Sequence, residues 1–201
     1  MCYNEHENKE NEVNEMATKI PVFAIPYAKA IANLKEKSLK QYTDIMAKID
    51  PADPAWQKKF VTFYRVRRDA AWRKAYFDLM AKYLGEKPTF DIVLDELYAK
   101  TGRVEASFAS KLVASLDNTK PIWDSKVLTN LGCKNTIKSY WEPEKRLAES
   151  KDLYHELERT FTEVSGTSSG KDSIAAFDSA FPAYKDISDM KKLDFLVWSL
   201  C

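Results

Sequence analysis

The stretch Thr89-FDIVLDELYAKTGRVEASFASKLVASLDNTKPIWDSKVLTNL-Gly132 decides the fold. Thr89 is a helix N-cap, and Phe90, Val93, Leu94, Leu97 and Tyr98 follow at helical spacing. Gly102 ends that helix, in a tight turn at Thr101-Gly102-Arg103. A second helix is predicted from Val104 to Leu116, then a loop at Asp117-Asn118-Thr119-Lys120. Asp124 opens a brief helix through Val127, Leu128 and Leu131, with Gly132 after it. The segment therefore reads as helix, hairpin, helix, then an aspartate at the start of a further helix.

The same helical period extends outward in both directions. Tyr27, Ile31, Leu34, Tyr42, Ile45 and Ile49 share one face. Asp53-Pro54 starts a helix, with Asp as N-cap and Pro at the first helical position. That helical pattern carries Trp56, Phe60, Phe63 and Tyr64 and continues toward Leu84, where Gly85 stops it. Pro143 begins the longest amphipathic stretch, with Leu147, Leu153, Tyr154, Leu157, Phe161 and Val164 as its apolar stripe. Ser165 to Ser173 reads as a polar linker. Its Gly166 to Lys171 run is one residue short of a phosphate loop, carries Asp172 where Ser or Thr is required, and follows no strand. The last predicted helix spans Ser188 to Leu200 and holds Trp198 as a core residue. No alternating strand and no internal repeat is found. The expected fold is all-α, with about eight to ten helices.

Composition narrows the function. The chain has 201 residues, a length that favours one domain. Five glycines are too few for a glycine-rich nucleotide cradle or a turn-rich barrel. No apolar run approaches the ~20 residues of a membrane helix. Cys2, Cys133 and Cys201 are widely spaced, and neither His6 nor His155 belongs to a paired-histidine motif. A zinc or iron–sulfur site is therefore not expected, and no metal or other cofactor is indicated. The three cysteines read as reduced thiols of a cytoplasmic protein. Residues 1–16 carry five glutamates against one lysine, a net −4, which leaves +5 on the rest of a chain whose formal charge is +1. They read as a disordered acidic extension ahead of a single domain over residues 17–201. A mildly basic domain suits an anionic partner.

Pro121-Ile122-Trp123-Asp124-Ser125-x-Val127 resembles the apolar-apolar-Asp motif of the helix-hairpin-helix DNA glycosylase superfamily, and Gly102-x-x-Glu105 resembles the exit of its hairpin. Glu105-Ala106-Ser107 is similar to the small archaeal 8-oxoguanine glycosylases of that superfamily, and the 19 residues from Glu105 to Asp124 suit it too. The resemblance covers about 45 residues. It implies two small helical lobes around a cleft, double-stranded DNA as partner, and excision of a damaged base by cleavage of its N-glycosidic bond. Asp124 would stabilise the positive charge that develops on the sugar. Gly102, Arg103 and Val104 would present amides, and Arg103 charge, to backbone phosphate, with Lys126 assisting. Trp123 would wall the base pocket.

The chain departs from that superfamily at two places. The hairpin keeps only Gly102 of the usual Gly-x-Gly. The Schiff-base lysine of bifunctional members is replaced by Val104-Glu105, and Lys111, two turns on, is expected to point elsewhere. The resemblance thus implies a monofunctional, water-using glycosylase, with Glu105 either activating water or repelling phosphate. Two other readings stand beside it: a catalytically inactive nucleic-acid-binding module on the same fold, and a helical protein-interaction domain. Several of these residues also have plain structural readings. Asp124 serves as an N-cap, Gly102 as a helix terminator, Trp123 as core and His155 as a surface residue. Arg65, Arg67, Arg68, Arg73 and Lys74, with Phe63, Tyr64 and Trp72 between them, form either a phosphate-tracking surface or a solvated helix face.

Overall fold

The structure is a computed structural model that describes residues 24–133 and 135–200. The acidic segment 1–16, Lys134, Cys2 and Cys201 lie outside the described residues. Among the described residues the chain is all-α, with ten α-helices and one short 3-10 helix. In chain order they are α1 Tyr27–Asn33, α2 Glu36–Met46, α3 Pro54–Phe63, α4 Ala70–Lys82, α5 Phe90–Thr101, α6 Ala106–Leu116, α7 Ser125–Asn130, α8 Pro143–Gly166, α9 Ser168–Ala180 and α10 Asp189–Trp198. Pro182–Tyr184 is the 3-10 helix before α10.

The capping residues act as their chemistry predicts. Asp53 accepts from the amides of Ala55 and Trp56 at 2.9 and 3.2 Å, and Thr89 accepts from Ile92 at 3.3 Å. Asp124 caps α7 by accepting from the Lys126 amide at 2.9 Å. Gly102 ends α5 in the left-handed region at φ +66°, where a side chain is disfavoured.

Four boundaries differ from the periodic reading, each for a local reason. The apolar face from Tyr27 to Ile49 is split between two helices, because Leu34 and Lys35 are extended between them, and Ile49 lies past the end of the second. The helix expected from Val104 begins at Ala106, because Glu105 has a non-helical backbone. The helix expected to run on from Trp56 toward Leu84 breaks after Phe63. There Arg65 takes φ +53° and the Val66 amide reaches back to the Val61 carbonyl at 2.9 Å. This is a Schellman ending with arginine in the slot usually held by glycine, at a cost of about 1–2 kcal/mol for the left-handed backbone. Asp69 then caps α4 by accepting from the Trp72 amide at 2.8 Å. Finally, the polar linker at Ser165 to Ser173 is helical. Thr167 alone breaks the run: its hydroxyl donates to the Val164 carbonyl at 2.7 Å and accepts from the Gly170 amide at 3.0 Å. Gly170 and Lys171 lie in the first turns of α9, so they form no phosphate cradle.

The core gathers around α10, whose Leu193, Phe195, Leu196 and Val197 are buried and which packs against α1, α7, α8 and α9. The α5–α6 hairpin packs on itself and on α4 and α8. A stacked pair, Phe90 on Tyr154 at 3.8 Å, joins α5 to α8. The segment before Asp124 is tied from three sides. Ser110 Oγ accepts from the Trp123 amide at 2.9 Å, Tyr154 OH donates to the Pro121 carbonyl at 3.0 Å, and Ser188 Oγ donates to the Asn118 carbonyl at 2.6 Å. These bonds fix where Asp124 sits.

Candidate functional site

A cleft of about 470 Å³ opens where α2, the end of α3, α6, the Ile122–Lys126 segment and α10 converge. That volume falls within the roughly 300–1,000 Å³ of small-molecule sites. Phe63, Tyr64, Phe108, Phe195 and Trp198 supply its aromatic surface. Its charged lining is Arg65, Lys111, Lys126 and Lys191 against Asp124 and Asp194. The exposed members, Arg65 and Lys126, form the rim; the buried ones, Lys111, Lys191 and Asp194, form the floor.

Of the residues to which the resemblance gives a role, Asp124 and Lys126 line this cleft. Asp124 spends one carboxylate oxygen on the cap of α7, and its other oxygen has no hydrogen bond among the described residues. Lys126 places its ammonium 4.7 Å from the Trp198 ring centroid, a cation–π contact across the rim.

The others serve elsewhere. Glu105 receives both Nε and Nη2 of Arg68, at 2.9 and 3.0 Å, and Nε of Arg103 at 3.1 Å. It is an ion-pair hub that ties the α3–α4 connection to the hairpin. The hairpin amides are largely spent: Gly102 donates to the Tyr98 carbonyl at 2.7 Å and Arg103 to Thr101 Oγ1 at 3.3 Å. Val104 packs against the core. Trp123 is buried in the core, and its neighbour Ile122 faces the cleft instead. The basic cluster divides: Arg68 is committed to Glu105, Lys74 pairs with Asp78 and Trp72 is buried, while Arg65 reaches the cleft. His155 is an exposed helical residue 3.0 Å from Asp91.

The structure overturns two expectations. Lys111 does not point away from Asp124; both line the same cleft. Its chain is buried, at 6% exposure, and its ammonium donates to Ser107 Oγ and the Ser107 carbonyl at 2.6 and 3.1 Å. No carboxylate lies within ion-pair distance of it among the described residues. Burial pulls its pKa down to about 8, opposed by the charges of Asp124 and Asp194. Trp198 is likewise half-buried on the cleft, not sealed in the core.

Lys191 and Asp194 were missed altogether. They form a buried ion pair one turn apart, and Lys191 also lies 4.5 Å from the Phe195 ring centroid. Asp194 is 4% exposed, and its Oδ1 is buried with no hydrogen-bond partner. Burial pushes its carboxyl pKa up, against the pull of Lys191. A signal existed for these residues: Lys191, Asp194 and Trp198 fall at i, i+3 and i+7, on one face of a helix rich in apolar residues. Charged residues on such a face mark a lined cavity or a buried pair. Comparison of the chain with protein-family models, with curated proteins and with solved structures returns no match.

Proposed function

We propose that this cleft receives a single nucleoside drawn out of double-stranded DNA and breaks its N-glycosidic bond, as a base-excision glycosylase built on a helix-hairpin-helix frame with a small lobe on each side of the cleft. The observation that carries this reading is one cleft lined by Asp124, by Lys111 and by aromatic side chains. Aromatic walls suit a flat base. The free oxygen of Asp124 suits stabilisation of positive charge on the sugar as the bond to the base lengthens.

The test is base release from duplex oligonucleotides that each carry one damaged base, with alkali added afterwards to cut at abasic sites. Release by the native protein that falls about 10²–10³-fold in Asp124→Asn supports the reading. Duplex binding without release from any substrate moves the assignment to a nucleic-acid-binding module, and failure to bind duplex at all removes DNA from the account.

The burial and lowered pKa of Lys111 favour a second chemistry at the same site. Its neutral amine would add to the aldehyde carbon of the opened abasic sugar and expel water as an imine. The departure from the superfamily pattern at Val104-Glu105 then argues less strongly for a water-only enzyme, because an amine reaches the cleft from another position. Strand cleavage without alkali, and a borohydride-trapped adduct lost in Lys111→Met, would identify this chemistry. Strand cleavage only after alkali would leave the monofunctional reading in place.

A further inference from the structure

Arg65 holds a position that its backbone does not favour. It fills the left-handed slot at the end of α3, at φ +53°, and is the one non-glycine residue with positive φ among the described residues. Glycine would complete the same ending without steric cost, and asparagine would fit better than arginine. The neighbours explain the turn but not the arginine. Tyr64 packs on Phe60 at 4.6 Å between ring centroids and Val66 is buried, so the reversal places Tyr64 on the cleft wall against Phe60, sends Val66 into the core and turns position 65 outward. What the arginine adds is its side chain, which lines the cleft. It has no ion pair among the described residues, whereas nearby Arg68 is fully engaged with Glu105. Lys126 stands on the same rim, also without a carboxylate partner among the described residues, held over Trp198 at 4.7 Å.

We propose that Arg65, with Lys126 beside it, anchors a backbone phosphodiester at the cleft mouth while the adjoining nucleoside enters the cleft; this rests on the base-excision reading above. The chemistry divides in the same way as the ligand. A phosphodiester is a permanent anion matched by a planar guanidinium fork, and the exposed rim offers two cations that form no ion pair among the described residues. A nucleoside is neutral and flat, and the interior offers aromatic surface with a few polar groups. Arg65 would thus replace the hairpin amides, which are already spent on Tyr98 and Thr101, as the phosphate contact nearest the site.

The test uses the full chain and a fluorescein-labelled duplex bearing one tetrahydrofuran abasic-site analogue, with affinity read by anisotropy over a series of salt concentrations. Arg65→Gly and Arg65→Asn both accept the left-handed backbone, so their melting temperatures should match or exceed the native value. Each should bind about tenfold more weakly, and the slope of log K against log salt should become shallower by about 0.9, the loss of one phosphate contact. Arg65→Lys should recover most of the slope. Three results would overturn the proposal. A lower melting temperature for Arg65→Gly would make the arginine structural. Native affinity and slope in that variant would remove its phosphate role and leave the base-excision reading intact. Displacement of the duplex by inorganic phosphate at equal phosphate concentration would assign the site to a free anion. If the native protein shows no salt-dependent duplex binding, both this proposal and the reading beneath it fail.

Discussion

Lys111 is the residue at which sequence and structure diverge most. In the sequence it sits among Ala109, Ser110, Leu112 and Val113, all of which prove buried. Helical spacing from the hairpin suggested another direction, because one sequence does not say which of two packed faces borders a void. Asp124 was legible for the opposite reason: its cap is a local signal that needs no tertiary knowledge. The partly desolvated amine of Lys111 gives a pH prediction. Its pKa is lowered to about 8, so its neutral fraction rises as pH passes through that value. Labelling by pyridoxal phosphate, fixed with borohydride and mapped by peptide, should occur at Lys111 and increase between pH 6.5 and 8.5. An amine of ordinary basicity, ~10.4 for lysine, would instead keep gaining label well above pH 8.5. Stability follows with a definite sign. The folded state holds this proton less firmly than the unfolded chain does, so the contribution of Lys111 is level below about pH 8 and becomes more favourable up to ~10.4. Lys111→Met should remove that rise from a plot of urea midpoint against pH. Labelling at Lys111 that keeps climbing steeply past pH 8.5, with no levelling, would show an amine of ordinary basicity.

At the scale of elements, most helices were readable because their ends carry caps and their faces carry a 3.6-residue period. The α8–α9 junction was not. Gly166-Thr-Ser-Ser-Gly170 has the composition of a linker, yet its glycines serve unlike ends. Gly166 closes the last turn of α8. Gly170 allows α9 to start hard against α8, since a Cβ there would lie 1.9 Å from the Val164 carbonyl oxygen. Composition records flexibility, whereas close backbone approach is a tertiary fact that sequence reading does not reach. Gly170→Ala should therefore destabilise the protein even though alanine is the better helix former. Overpacking of this kind costs roughly 1–3 kcal/mol, a fall in Tm of roughly 2–12 °C for a chain of this size. Gly166→Ala, where a Cβ meets nothing within 4 Å, is the comparison. It should melt at or above the native temperature, as helix propensity alone would have it. Similar losses in both variants would mean that the junction is set by something other than the approach at Gly170.

The cleft exists only because distant parts of the chain meet. Its walls come from residues between Ser38 and Trp198, so no fragment contains the site. What unites them is α10, buried against α1, α7, α8 and α9. Its end is tied to the start of the described chain, where Ser199 Oγ donates to the Ala30 carbonyl at 2.8 Å and Asn33 Nδ2 donates to the Ser199 carbonyl at 3.0 Å. Asn130 Nδ2 adds a bond to the Val197 carbonyl at 2.7 Å. A fold closed in this way, the first described helix on the last, should unfold as one unit. Backbone ellipticity and tryptophan fluorescence are independent probes of that claim. Trp56 and Trp72 report on α3 and α4, Trp123 on the core before α7, Trp141 on the segment before α8, and Trp198 on the cleft and α10. The two urea transitions should superimpose. Ser199→Ala leaves the Ala30 carbonyl without this hydroxyl and should cost about 1 kcal/mol. Both transitions should then shift together by the same amount. A fluorescence transition that moves while ellipticity stays would show that α1 and α10 release separately from the remaining helices. In that case the cleft would be an interface between two independently stable parts, and its occupancy would depend on their docking.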